Sequence, residues 1–204
     1  MNLLDQRILG IAIIFLLGVL VTVKQVATGS ILDKPKGNLM VQLVNIFNLF
    51  FLLGVNPLTA ILLITRRLPT IDPTHTTINE PGILMVLEIA GLVMYVIGFL
   101  LMAGALITLG RNYQLGGSAP RSEDKMVIEG PYRLIRHPMY TAALSISLGL
   151  ACLIQSWACF GVFCIYLVLI SLLIPMEENE LQKAYGEQYG AYQQKARKLV
   201  PFIY

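Results

Sequence analysis

Gly130-Pro131-Tyr132-Arg133-Leu134-Ile135-Arg136-His137-Pro138-Met139-Tyr140 decides how this chain reads. It leaves a polar loop and runs directly into an apolar segment. Two arginines, a histidine and two prolines stand where the chain re-enters apolar sequence. Polar groups at membrane depth are costly and usually have a task. Downstream lie two apolar segments, residues 138–154 and 157–174, with Gln155-Ser156 as the turn between them. The second ends in Glu177-Glu178-Asn179-Glu180. A hairpin of that form brings His137 and Glu177 together with no long-range assumption, so the two polar clusters are expected to form one site.

Composition sets the environment of this hairpin. Of 204 residues, 56% are hydrophobic and 13% charged, against about 45–50% and about 25% in soluble domains. The charges are segregated between long apolar runs, which specifies an integral membrane protein. A net charge of +3 gives no footprint for nucleic acid. Cys152, Cys159 and Cys164 lie in apolar segments, with neither metal spacing nor a disulfide framework.

Upstream, residues 8–23 are almost purely apolar and are expected to form a first transmembrane helix, not a cleaved leader. A second span covers residues 39–64, interrupted by Asn45, Asn48 and Asn56-Pro57. Pro57 should kink it, and the asparagines are expected to bond between helices. The loop at residues 68–81 carries His75, expected to be solvated. A third span covers residues 82–109, with Glu88 near its start and Gly91, Gly98 and Gly104 for close helix contact. The fold class is therefore all-α: five transmembrane helices, a C-terminal helical hairpin and a cytosolic amphipathic helix. That last helix is expected over residues 176–198, where Leu181, Tyr185, Tyr189 and Tyr192 share a face. One integral membrane domain results, with a three-span part at 1–110 and a loop, hairpin and tail at 111–204.

Five spans put twelve of the fifteen Lys and Arg residues on one side and only Arg7, Arg66 and Arg67 on the other. By the positive-inside rule the N-terminus is outside, and the 111–136 loop and the tail face the cytosol. Both polar clusters emerge on that face.

Carboxylates, an imidazole, arginines and tyrosines in such a pocket suit a polar cofactor with a cationic sulfonium, an amine and a ribose; tyrosine faces hold cations. His137, Glu177, Glu178 and Glu180 make a poor metal set, because no second histidine supports the first. No nucleophile with a paired base stands out, and no phosphate-binding loop is present.

Gly130-Pro131-Tyr132, Arg136-His137-Pro138-x-Tyr140, the hairpin, Glu177-Glu178, Tyr185-Gly186-x-x-Tyr189-x-x-Tyr192 and the ending Val200-Pro201-Phe202 together resemble the isoprenylcysteine carboxyl methyltransferase family. Phospholipid N-methyltransferases share a similar Arg-His-Pro-x-Tyr core. The resemblance covers about the last ninety residues. It implies an S-adenosylmethionine cofactor, with S-adenosylhomocysteine as product, held by loop and tail. Carried over by position, its contacts are Asp124, Lys125, Met126, Val127, Tyr132, His137, Pro138, Met139, Tyr140 and Glu177, with Gln114 as a looser match. Arg133, Arg136 and Glu178 are the residues expected to be catalytic, with Arg133 or Arg136 facing the acceptor's carboxylate. One departure stands out: where many relatives place an arginine one turn before the glutamate pair, this chain has Leu173.

The resemblance implies carboxyl methylation of an isoprenylated cysteine or a similar lipidic acid. The partners expected are a lipophilic small molecule or prenylated peptide and membrane lipid, with no nucleic acid and no metal. The alternatives are a phospholipid N-methyltransferase and a non-catalytic membrane scaffold or transporter.

Overall fold

A computed structural model describes residues 5–31, 39–113 and 124–199. Helix α1 (Gln6–Thr28) starts at Asp5, whose carboxylate accepts from the Arg7 and Ile8 amides, and stops at Gly29, left-handed at φ 81°. Helices α2 (Leu39–Phe50) and α3 (Asn56–Ile64) are joined by a π-helical turn, Phe51–Val55. Pro57 has no amide to donate, so the ladder must adjust just before it. The Phe51 carbonyl accepts both the Asn56 amide and the Asn56 side chain. Asn56 Oδ1 in turn accepts from Tyr95 on the third span at 2.8 Å, so this asparagine is fully paired inside the protein.

The short α4 (Leu68–Ile71) leads to α5 (Pro81–Leu109), the long central helix. It packs most extensively against α6 (Pro138–Ile154). Small residues set that approach. A Cβ on Gly149 would come within 2.7 Å of the Tyr95 backbone, and one on Gly91 within 2.8 Å of the Gly149 carbonyl. Gln155, left-handed at φ 47°, ends α6, and Ser156 caps α7 (Trp157–Tyr185).

The loop before α5 clamps this turn. Ser156 Oγ donates to Asp72, Thr76 N to the Gln155 carbonyl and Trp157 N to the Thr74 carbonyl. His75 Nδ1 meets the Ile154 carbonyl at 2.8 Å. His75 is thus half-buried and engaged, contrary to the solvated loop residue expected. Glu88 is buried beside this clamp, in a small niche with Leu68, His75 and Gln155.

Four helices, Gln6–Thr28, Leu39–Ile64, Pro81–Asn112 and Trp157–Tyr185, are long and apolar enough to cross a membrane; Pro138–Ile154 is a shorter apolar helix. Ile8, Phe15, Val26, Leu100 and Val168 lie exposed on the outer faces. A surface so apolar on helices so long suits lipid, where backbone bonds must close within each segment. The molecule is an all-helical integral membrane protein.

The tail departs from one continuous amphipathic helix. Gly186, at φ 54°, breaks it, and α8 (Glu187–Lys195) starts in a new direction. After α8 the chain turns extended and pairs with the motif: Arg136 N donates to the Arg197 carbonyl at 2.7 Å, and Arg197 N to the Leu134 carbonyl at 2.9 Å.

Candidate active site

The motif enters through a 3₁₀ turn, Gly130–Arg133, then places His137 at the cap of α6 and Pro138 at its first position. Tyr140 follows on the inner face of α6. Its hydroxyl donates to Glu177 Oε2 at 2.6 Å, and its ring stacks on His137 with centroids 5.6 Å apart. Glu177 and Glu178, one residue apart on α7, bond to different partners. Glu178 Oε1 accepts from Arg136 Nε at 2.9 Å and lies 3.2 Å from His137 Nε2. Lys198 Nζ is 3.8 Å from its other oxygen. Arg136 also donates to the carbonyls of Gln193 and Ala196, at 3.0 and 2.6 Å. Loop, hairpin and tail are thereby locked together by one half-buried guanidinium-carboxylate pair.

Above it, Tyr192 donates to the Tyr132 carbonyl at 2.6 Å, and Tyr185 reaches the Asp124 carbonyl at 3.4 Å. Burial raises the Tyr132 phenol well above its ordinary range, and the negative charge of Glu177 adds to this. Burial also raises Tyr189 and Tyr192. All three stay neutral, as donors, at physiological pH.

These groups border a cavity of about 450 Å³, within the range of small-molecule sites. Asp124, Lys125, Met126, Val127, Tyr132, Arg136, His137, Pro138, Met139, Tyr140 and Glu177 all line it. Glu178 does not line it and holds Arg136 and His137 from behind. Arg133 is exposed and lies off the cavity wall. Gln114 lies outside the described residues, as do Lys34, Lys36, Arg121 and the Val200-Pro201-Phe202 ending.

Sequence reasoning missed the opposite wall. Leu20, Val21 and Lys24 of α1, Asn45, Asn48 and Leu49 of α2, and Tyr113 after α5 also line the cavity. Lys24 donates to the Ser30 and Ile31 carbonyls and stands over the Tyr113 ring at 5.1 Å. Asn45 and Asn48, a turn apart in an apolar run, were the only signal available. Two buried polar atoms at the cavity have no hydrogen-bond partner among the described residues, Asn45 Nδ2 and Tyr189 Oη. Among the described residues no group of three His, Cys, Asp or Glu side chains is placed to hold a metal ion.

The cavity therefore joins a polar wall, with carboxylate, imidazole and tyrosines, to an apolar wall of membrane helices. The model of a family described as phospholipid methyltransferase matches residues 86–188, over half of the chain, including the part of the polar wall from Asp124 to Tyr185.

The chain belongs to the phospholipid methyltransferase family.

Among similar proteins, a protein-S-isoprenylcysteine O-methyltransferase B of Arabidopsis thaliana is 34% identical over 119 residues, 55% of this chain and 58% of that protein. A probable protein-S-isoprenylcysteine O-methyltransferase of Oryza sativa subsp. indica is 32% identical over 115 residues, 55% of this chain and 60% of that protein. The match thus spans somewhat over half the length of these curated relatives. The solved structure of the eukaryotic intramembrane Ras methyltransferase, isoprenylcysteine carboxyl methyltransferase, superposes with a TM-score of 0.51 at 21% identity, covering 80% of this chain and 74% of that one. The family member described here shares that fold.

Proposed function

We propose that this protein is an S-adenosylmethionine-dependent methyltransferase that esterifies the carboxylate of a lipophilic acceptor, an isoprenylated cysteine or a similar lipidic acid. One observation carries the reading: a single cavity has a polar wall from loop, motif and α7 and an apolar wall from α1 and α2. A charged cofactor and an oily acceptor need such a two-faced space.

The residues present fit the cofactor. Glu177, fixed by the Tyr140 hydroxyl, accepts from an amine. The unpaired Tyr189 hydroxyl offers a donor, and the faces of Tyr132, Tyr185 and Tyr192 suit a cation or a purine. Asp124, Lys125, Met126, Val127, His137, Pro138 and Met139 complete that wall. S-adenosylmethionine, when bound, supplies an electrophilic methyl group. The chain's own work is alignment and exclusion of water. A carboxylate acceptor arrives ionised, so no residue has to take a proton from it. Arg136 and Glu178 hold the motif rigid, as positioning residues.

The active site is proposed to open to the cytosol, with five crossings and the N-terminus outside. The segregation of lysine and arginine supports this. The family match supports one rival acceptor, a phospholipid amine.

The test supplies labelled S-adenosylmethionine to purified protein with a prenylated cysteine or with phosphatidylethanolamine. Base-labile label on the prenylated cysteine is the expected result. Label on phosphatidylethanolamine alone would replace the proposed acceptor, and label on neither would sink the reaction.

A further inference from the structure

Helix α2 and its continuation α3 carry two buried asparagines that differ in one respect. Asn56 is wholly buried and satisfied, with Tyr95 on one side of its amide and the Phe51 carbonyl on the other. Asn45 is 8% exposed, borders the large cavity, and its Nδ2 has no partner among the described residues. An amide buried in an apolar helix without a partner is expensive. The usual explanation is a bond to a neighbouring helix. That explanation holds for Asn56 and fails for the Nδ2 of Asn45.

The surroundings say what kind of ligand completes it. Along α2 and into the π-helical turn after it, Asn48, Leu49 and Leu52 continue the Asn45 face by three- and four-residue steps, and all line the cavity. Apart from Asn45 itself, Asn48 and Lys24, α1 and α2 line this wall with apolar side chains, so the ligand portion beside it is lipophilic. The missing partner of an N–H is an acceptor oxygen. Of the cations at the cavity, Arg136 is engaged by Glu178 and two carbonyls and Lys24 by two carbonyls and the Tyr113 ring, while Lys125 stands exposed on the polar wall, across from α2. The position one turn before Glu177 is Leu173, fully buried and without charge.

Resting on the methyltransferase reading, we infer that Asn45 is a specificity residue whose amide donates a hydrogen bond to the carboxylate of the lipophilic acceptor. A carboxylate supplies the acceptor oxygen that Nδ2 lacks. An ammonium group set at the same place brings only donors and leaves Nδ2 unpaired. Asn45 thereby favours a lipidic acid over a phospholipid amine in this cavity.

The test reads binding, not turnover. The probes are N-acetyl-S-farnesylcysteine, which bears the carboxylate, and N-acetyl-S-farnesylcysteamine, which lacks it. Each is titrated into purified full-length protein saturated with S-adenosylhomocysteine. Wild type is expected to prefer the carboxylate roughly ten- to a hundredfold, the range for a hydrogen bond to a charged group. Asn45→Leu is expected to erase that preference and leave affinity for S-adenosylhomocysteine unchanged. If the leucine variant misfolds, seen as loss of S-adenosylhomocysteine binding, Asn45→Ala gives the same reading. A preference that survives in the folded variant overturns the inference, as does a wild type that shows none. A wild type with an Asn45-dependent preference but no methyl transfer supports the inference and sinks the reaction. Methyl transfer with a preference indifferent to Asn45 does the reverse.

Discussion

Glu177 and Glu178 show how one peptide bond divides two duties. Successive residues on a helix point about 100° apart, so only one of the pair can face the cavity. Glu177 does, buttressed by Tyr140, and Glu178 turns to Arg136 and His137. Glu177→Ala is therefore expected to weaken S-adenosylhomocysteine binding about ten- to a hundredfold. Arg133→Ala, at an exposed site off the cavity, should leave it within about twofold. Calorimetry on the two purified variants checks both, and equal losses would put Arg133 back at the site. The motif residues were legible because the chain itself brings them close: His137 and Glu177 meet through one hairpin. Arg133 was not separable from Arg136 by sequence, since both are arginines in one turn-rich stretch. What divides them is that the tail carbonyls of Gln193 and Ala196 reach only Arg136. Lys24, Asn45 and Tyr113 stayed hidden because their place at the cavity depends on how α1 and α2 pack.

At the level of elements, the helices were legible because long apolar runs ended by Gly, Pro or Asx leave few alternatives, as Asp5 and Gly29 show for α1. The break at Gly186 was not, because a helical face of tyrosines continues across it. Only the pairing of the following strand-like segment with residues 134–137 gives the glycine its role. The clamp on the α6–α7 turn was equally unreadable, since Asp72 and Ser156 lie far apart in sequence. Burial pushes the Asp72 carboxyl up, yet the hydrogen bonds from Ser156 and Thr74 outweigh it, so the group titrates below its usual range. A depressed carboxylate stabilises the fold above the unfolded value, about 4, and loses that effect as pH falls through the lower folded value. Wild type should thus melt above Asp72→Ala by a constant margin from about pH 8 to about pH 5, and the margin should shrink below about pH 4. Thermal unfolding of both proteins across that range is the measurement. A margin that widened in acid would contradict the clamp.

The whole molecule turns on whether the short helix α6 crosses the membrane. Seventeen residues give about 25 Å, somewhat less than the roughly 30 Å apolar core. Its ends, however, are fixed against longer neighbours. At one end His137 meets Glu178 on α7, and a Cβ on Gly130 would strike Thr108 near the end of α5. At the other, Gln155 and Trp157 bond to the loop that precedes α5. From Trp157 to Glu178, α7 rises about 30 Å, and α6 covers the same interval in the opposite direction. A helix held level with two spanning neighbours supports the proposed fifth crossing, and burial among α5 and α7 relieves it of matching the lipid alone. The five crossings proposed put Thr76 on one face and Glu129 and Gln194 on the other. In a cysteine-free background, Glu129→Cys and Gln194→Cys should label from the same side of sealed vesicles, and Thr76→Cys from the opposite side. The three positions are all exposed, so lack of reagent access does not mimic a topology. Opposite labelling of 129 and 194 would mean that α6 does not cross. Labelling of 76 and 129 from one side would mean that α5 does not, and either outcome would undo the shared cytosolic face on which the proposed site depends.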